Sequence, residues 1–210
     1  MNPDHHLTEH LTEALRGMGA NFAASQELRL LDYLALLTKW NRTYNLTAIH
    51  EPERMLTHHL LDSLAILPNL GAGPLLDVGS GAGLPGIPLA IARSDLKVAL
   101  LDSSQKRCGF MRQAAIELKL ANVTVSHARA EDFQPERKFP QIVSRAFSDL
   151  SEFVRATRHL LAEGGEWLAM KGLYPDEEIA LLKGARVKRH ARLYVPGLEA
   201  DRHLIIMEMD

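Results

Sequence analysis

Residues 75–86 read LLDVGSGAGLPG, with glycines at 79, 81, 83 and 86 and Asp77 two places before the first of them. A tight turn that needs positive φ would use one or two such glycines. Four in eight positions, after a short apolar run and before a helix-like one, describe a ligand loop at the end of a first strand. Gly81, Gly83 and Gly86 match the dinucleotide spacing G-x-G-x-x-G, a pattern that is weak alone. Two ligands compete for the loop: a dinucleotide with its pyrophosphate, and S-adenosylmethionine (AdoMet), which has no phosphate and carries a sulfonium and an ammonium. Asp77 decides between them. A carboxylate there would repel a pyrophosphate in a partly dry site and attract the two cationic groups of AdoMet. Asp102, 25 residues further on at the end of the next apolar run, is placed to accept hydrogen bonds from ribose hydroxyls and suits either ligand.

The methyl acceptor is approached by elimination. After the fourth apolar run the chain reads SRAFSD (144–149), without the Asn/Asp-Pro-Pro-aromatic motif that goes with methylation of exocyclic amines. Attack through C5 of a pyrimidine needs a cysteine nucleophile in that region. Cys108, the only cysteine, lies instead early in the helix after the second run and reads as a small buried hydrophobe. An acceptor that is already nucleophilic remains, such as guanine N7, which loses no proton on methylation. It needs alignment and electrostatics rather than a base, and a carboxylate acceptor would need no base either. Arg145, at the end of the fourth run, is the one candidate for a catalytic side chain, facing a methionine carboxylate, the base or a phosphate. No metal site is expected. His58 and His59 point about 100° apart on a helix, and His6 and His10, spaced i,i+4, stand near a terminus.

The chain that must position these groups has 210 residues, 46% hydrophobic and 24% charged, with net charge −2. That is one α/β domain plus an extension, without a globally basic character. The start MNPDHHLTEHLTEALRG has no apolar core of a signal peptide, and no run reaches the roughly 20 apolar residues of a membrane span. Residues 1–70 form an expected helical cap. Leu7, Leu11, Leu15 and Met18 mark one helix, and Leu28, Leu31, Leu34 and Leu37, capped by Ser25, a second. A third begins at Pro52 and carries Leu56, Leu60 and Leu64. Residues 71–210 change texture: PLLDVG, KVALLD, VTVSHA, QIVSRA and EWLAMKG alternate with helix-like stretches at 86–93, 103–120, 149–162 and 175–184. This is the pattern of a parallel sheet covered on both faces. RVKRHARLYV and RHLIIMEM then follow with only a short loop between, an antiparallel hairpin that closes the sheet. The expected fold is an α/β, Rossmann-like class I AdoMet-dependent methyltransferase with about seven strands, a C-terminal antiparallel hairpin and an N-terminal helical cap.

Charge is unevenly spread. Residues 97–129 hold six Lys/Arg against Asp102 and Glu117, 183–192 hold five and no acid, and 1–70 hold five against eight acids. Positive charge thus gathers on the catalytic part, as phosphate binding requires, although lysines on an edge strand also block aggregation. Lys106, Arg107 and Lys171 border the expected carboxyl-end loops, Arg112 is a further RNA-binding candidate, and Arg202 and His203 open the last strand. Tyr44 and Asn45, between cap helices, could stack on or bond to a base. Trp40 and Trp167 read as core.

Seven segments together resemble one family: WNRTYNLTAI (40–49), HHLLDSL (58–64), LLDVGSGAGLPGIPLAI (75–91), LLDSSQKRCGFM (100–111), SRAFSDL (144–150), MKG (170–172) and RHLIIM (202–207). They are similar to the bacterial small-subunit ribosomal RNA guanine-N7 methyltransferases, also called glucose-inhibited division protein B. The resemblance covers nearly the whole chain from Trp40 onward. It implies AdoMet-dependent methylation of N7 of one guanine in 16S rRNA of the small ribosomal subunit. It also implies cofactor contacts at Gly79, Leu84, Ala130, Glu131 and Arg145. The residue-level reading adds Asp77, Gly81, Gly83 and Asp102. The expected protein is a cytoplasmic monomer with no membrane partner. A small-molecule methyltransferase of the same fold, a non-catalytic AdoMet- or ribosome-binding factor and an NAD-dependent enzyme are the alternatives.

Overall fold

The computed structural model describes residues 3–210, so Met1 and Asn2 of the expected cap lie outside the described residues. The cap begins with α1 (Pro3–Gly17) and α2 (Ala24–Tyr44). A third helical stretch follows as α3 (Pro52–Met55), a π-helical turn (Leu56–Leu61) and α4 (Asp62–Leu64). Pro52 stands in its first turn as expected, where its missing N–H costs nothing. Leu56, Leu60 and Leu64 are all buried.

The start of α2 differs from the expectation. Ser25 lies inside the helix and caps nothing; Ala23 is the N-cap. Gln26 takes over the role: its side-chain oxygen accepts from the Ala23 N–H at 2.9 Å. Its amide donates to the Ala92 carbonyl at 2.8 Å, at the end of a sheet-side helix. Tertiary contact thus moved the cap.

The remaining elements are β1 (Leu75–Val78), α5 (Gly86–Ala92), β2 (Val98–Asp102), α6 (Gln105–Glu117), β3 (Val123–His127), β4 (Phe139–Ser144), α7 (Leu150–Thr157), β5 (Leu161–Lys171), α8 (Asp176–Ala180), β6 (Ala185–Arg192) and β7 (His203–Met209). They form one seven-stranded sheet in the order β3-β2-β1-β4-β5-β7-β6. The first five strands are parallel, and β7 runs antiparallel to both β5 and β6. The chain moves outward from β1 to β3 and then returns to β4 on the other side of β1. This reversal is a topological switch point, where open α/β sheets place ligands.

Alternation along each strand splits the core between the two faces. Leu75, Leu100, Leu168 and Ile206 join one cluster with the cap residues Leu11, Leu30 and Leu60. Their neighbours Leu76, Leu101, Trp167 and Ile205 join a second with Phe153. The cap is therefore continuous with the core on one face of the sheet. Trp167 is fully buried, with its indole N–H donating to Thr157 Oγ1 at 2.9 Å, and Trp40 packs partly buried against the first cluster, both as core residues.

Candidate active site

The loop after β1 is shaped by its glycines. Gly79, Gly81 and Gly83 have φ of 70°, 59° and 84°, values that side-chain-bearing residues seldom adopt. A Cβ on Gly79 would lie 2.6 Å from Ala146 Cβ, and one on Gly86 would overlap Leu100 Cδ2 and lie 2.8 Å from Asp77 Oδ2. The loop is sewn to its neighbours by short side chains. Ser80 Oγ donates to the Asp77 carbonyl at 2.8 Å. Ser144 Oγ donates to the Val78 carbonyl at 2.7 Å and accepts from the Ala146 N–H at 3.0 Å. The hydroxyl of Tyr33, a buried residue of α2, donates to the Ala82 carbonyl at 2.7 Å.

The two predicted carboxylates behave differently. Asp102 bonds the loop and the next helix at once: Oδ2 accepts from the Gly81 N–H at 2.9 Å and Oδ1 from the Ser104 N–H at 2.8 Å. Arg107 stands 3.6 Å from Oδ2. Asp77 is fully buried; Oδ2 accepts from the Gly86 N–H at 2.8 Å, and Oδ1 has no partner. Burial pushes its carboxyl up to about 7, against the pull of the Gly86 N–H, Arg145 and Ser80, while Asp102 adds a smaller upward push. A buried carboxyl with an unused oxygen is a group prepared for a cationic or donor partner.

A cleft of about 230 Å³ opens at the carboxyl ends of β1, β2 and β3, where Gly79, Asp102, Arg107, Ala130, Glu131 and Phe147 face one another. Ala130 and Glu131 sit on a single 3-10 turn, Ala130–Asp132, after β3. Gly79, Asp102, Ala130 and Glu131 are thus brought together as expected. Leu84 is not: it is buried in the cap-side core. Asp77 and Arg145 also lie outside this lining. A larger groove, about 1120 Å³, runs past Lys97, Lys119, Arg137 and Lys138, but it borders the amino ends of β2 and β4, away from the switch point.

Arg145 turns to the cap. Its Nη1 donates to Asp62 Oδ2 at 2.9 Å and to the His58 carbonyl at 3.4 Å. Arg202 Nε donates to the other oxygen, Asp62 Oδ1, also at 2.9 Å. Asp62 is 5% exposed. The sequence reading missed it, although HHLLDSL contains it; a helical acid between leucines carries no signal of two arginines 83 and 140 residues away. His59 is also buried in the π-helical turn, with Nε2 2.9 Å from Thr47 Oγ1 and Nδ1 unpartnered. Desolvation, then the Arg145 charge, press its pKa down to about 4 and keep the ring neutral.

The surface candidates divide. Lys106, Arg107 and Arg112 are exposed on α6, and Arg107 lines the cleft. Lys171 is committed internally: its Nζ donates to Glu178 at 2.7 Å and 3.0 Å and to the carbonyls of Phe147 and Ser148 at 3.2 Å and 3.0 Å. Its side chain is 11% exposed, so it is a fastener of β5 and not a free cation. Asn45 adopts φ 48° and closes α2, donating its backbone N–H to Asn41 O. Tyr44 stacks on Trp40 with centroids 5.1 Å apart and stays exposed. His203 packs against His190 and Tyr174. In the 183–192 stretch, Arg186 and Lys188 pair with Glu208, Lys188 also with Glu166, and Arg192 with Asp201. Its charge is largely compensated. Cys108 is buried with Sγ 3.3 Å from the Asp102 carbonyl, as a small core residue. His6 and His10 both bond Glu53, and among the described residues no group of three ligand-type side chains could hold a metal.

A switch-point cleft, a glycine loop and a sheet with β7 reversed between β5 and β6 define the class I AdoMet-dependent methyltransferase fold. Solved structures agree: a glycopeptide N-methyltransferase MtfA in complex with S-adenosyl-L-homocysteine superposes with TM-score 0.62 at 14% identity, over 72% of this chain and 87% of that one. A SAM-dependent methyltransferase from Aquifex aeolicus gives 0.59 at 19% identity, over 75% and 93%. Residues 26–205 match the family model for rRNA small subunit methyltransferase G (GidB). The chain is 57% identical over 200 residues to the ribosomal RNA small subunit methyltransferase G of Laribacter hongkongensis, covering 95% of this chain and 97% of that protein. With the enzyme of the same name from Chromobacterium violaceum it shares 55% over 202 residues, again 95% and 97%. The chain belongs to the rRNA small subunit methyltransferase G family.

Proposed function

We propose that this protein transfers a methyl group from AdoMet to N7 of a specific guanine in 16S rRNA of the small ribosomal subunit. The observation that carries the reading is the glycine loop at the switch point, with Asp77 and Asp102 on its two sides, in a chain of this family. The residues fit the cofactor. Gly79 leaves no room for a Cβ beside Ala146 and presents bare backbone to the cleft. Asp77, buried beneath the loop and outside the cleft lining, braces it through the Gly86 N–H, and Glu131 offers a carboxylate to the cleft. Leu84 contributes by packing the loop from below.

When bound, AdoMet supplies an electrophilic methyl group on a positively charged sulfur. The chain's own part is to bind, orient and exclude water. Gly79 and Gly81 shape the loop wall, and Asp102 holds that loop to α6 through two backbone N–H groups. Ala130 and Glu131 close the opposite wall. Guanine N7 carries an in-plane lone pair and no proton, so no general base is required, and alignment with electrostatic stabilisation suffices. The exposed Lys106, Arg107 and Arg112 give the RNA backbone a cationic approach to the cleft.

The experiment uses tritiated AdoMet and small subunits from cells lacking this gene, followed by digestion of the RNA and mass identification of the nucleoside. A single 7-methylguanosine is expected. No label in RNA despite cofactor binding would point to a small-molecule acceptor.

A further inference from the structure

The two faces of the sheet are covered unequally at its β3 edge. On the cap side α6 packs on β2 and β3, and Val123 and Val125 point into the core there. On the opposite side a helix would normally cover the strands. Here the connection from β3 to β4 is a single 3-10 turn, Ala130–Asp132, and a loop. Ala99, its partner Thr124, and Ser126 are left as the floor of the groove of about 1120 Å³, with half-buried Phe133 as a wall. Lys97, Lys119, Arg137 and Lys138, all exposed, stand around it. Their side chains make no hydrogen bond or ion pair among the described residues, unlike the paired cations of β6. Of the two acids that line the groove, Asp95 is taken by Arg93, which leaves Glu136. Edge strands protect themselves with lysines of their own, but β3 holds no lysine or arginine. Lys119 adds a second signal. It closes α6 at φ 54°, with the Leu120 N–H on the Ala115 carbonyl at 2.9 Å, a place where helices favour glycine.

We propose that this groove is a second RNA site, which holds a single-stranded run of the acceptor's phosphodiesters along β3. The cofactor cleft at the far end of the same strand then receives the guanine. This rests on the reading above that the acceptor is RNA. Ser126 lines the groove and Ala128 to Glu131 line the cleft just beyond it, so β3 joins the two. Its five residues span about 16 Å, room for a few nucleotides. Phosphates meet the four uncompensated cations, and Phe133 gives a base a flat apolar surface. Lys119 holds a backbone conformation that costs a lysine stability, and a phosphate contact explains why that position is not glycine.

Lys97→Gln/Lys138→Gln removes two exposed charges without touching the cofactor cleft. The KM for small subunits should rise about 10-fold and the salt slope of binding should fall by about 2. At saturating subunits kcat should stay within about twofold of wild type, as should AdoMet affinity by calorimetry. Lys119→Gly separates binding from folding. Its urea midpoint should hold or rise, since relief of positive φ offsets the added chain entropy, while the salt slope falls by about 1. The same losses should appear with protein-free 16S rRNA in filter binding. Losses confined to intact subunits would hand the groove to an acidic ribosomal protein and overturn the RNA site. Wild-type KM and salt slope in these variants overturn it too, as does an AdoMet affinity that falls in step with RNA binding. Wild-type enzyme that leaves RNA unlabelled condemns the underlying reading, which separates the two failures.

Discussion

At the scale of single residues, Asp77 and Gly79 carry the sharpest consequences. The Asp77 carboxyl is held near 7 in the folded protein against an ordinary 3.8, with burial as the main cause. Between those values the unfolded chain ionises while the folded one stays protonated, so folding takes up a proton. The associated stability is complete below about pH 4 and is lost as pH rises through about 7. Asp77→Asn removes this dependence. In urea melts without cofactor, the variant should gain on wild type between about pH 5 and about pH 8; a difference that ignores pH would mean an ordinary carboxyl. The same variant should bind AdoMet more weakly. Gly79→Ala combines positive φ with a Cβ 2.6 Å from Ala146. A loss of about 1–3 kcal/mol in stability is expected, together with loss of AdoMet binding by calorimetry, and normal binding would show that the loop yields.

At the scale of elements, side chains that looked like ligand groups turn out to be fasteners. Lys171 ties the end of β5 to α8 and to the segment before α7. Lys171→Met should therefore cost about 1–3 kcal/mol in denaturant stability through unpaired acceptors, with the salt slope of RNA binding unchanged. A slope lowered by about 1 would restore it as a phosphate contact. Asn45 is read from the same stretch as Tyr44, yet its positive φ makes it a helix stop. Gln26 replaces Ser25 because one side chain can serve both the α2 start and the end of α5. Local propensity named the right helix and the wrong cap.

At the scale of the whole molecule, the cap shares a core with the sheet. Leu11, Leu30 and Leu60 belong to the same cluster as Leu75, Leu100 and Ile206, and Asp62 ties the cap to β4 and β7. We expect residues 1–70 and 71–210 to unfold as one unit. Trp40 reports from the cap and Trp167 from the sheet. Single-tryptophan variants Trp40→Phe and Trp167→Phe should give coincident urea transitions by fluorescence; separated midpoints would make the cap an independent domain.

What the sequence by itself determined follows from local physics. Period-2 and period-3.6 patterns, with β1 apolar on both faces, specify strands and helices in an alternating order, and that order leaves few topologies. Gly79, Gly81 and Gly83 were legible because backbone freedom is a property of the residue type. Asp77 and Asp102 were legible because each lies at the end of a short apolar run. The destination of a long charged side chain was not legible. Arg145, Lys171, Arg202 and Asp62 each reach several ångströms to partners chosen by the packing of other elements, and Leu84 was turned inward by the loop that surrounds it. Only the tertiary structure decides these, because an ion pair across 140 residues depends on where the chain returns and not on what stands beside it.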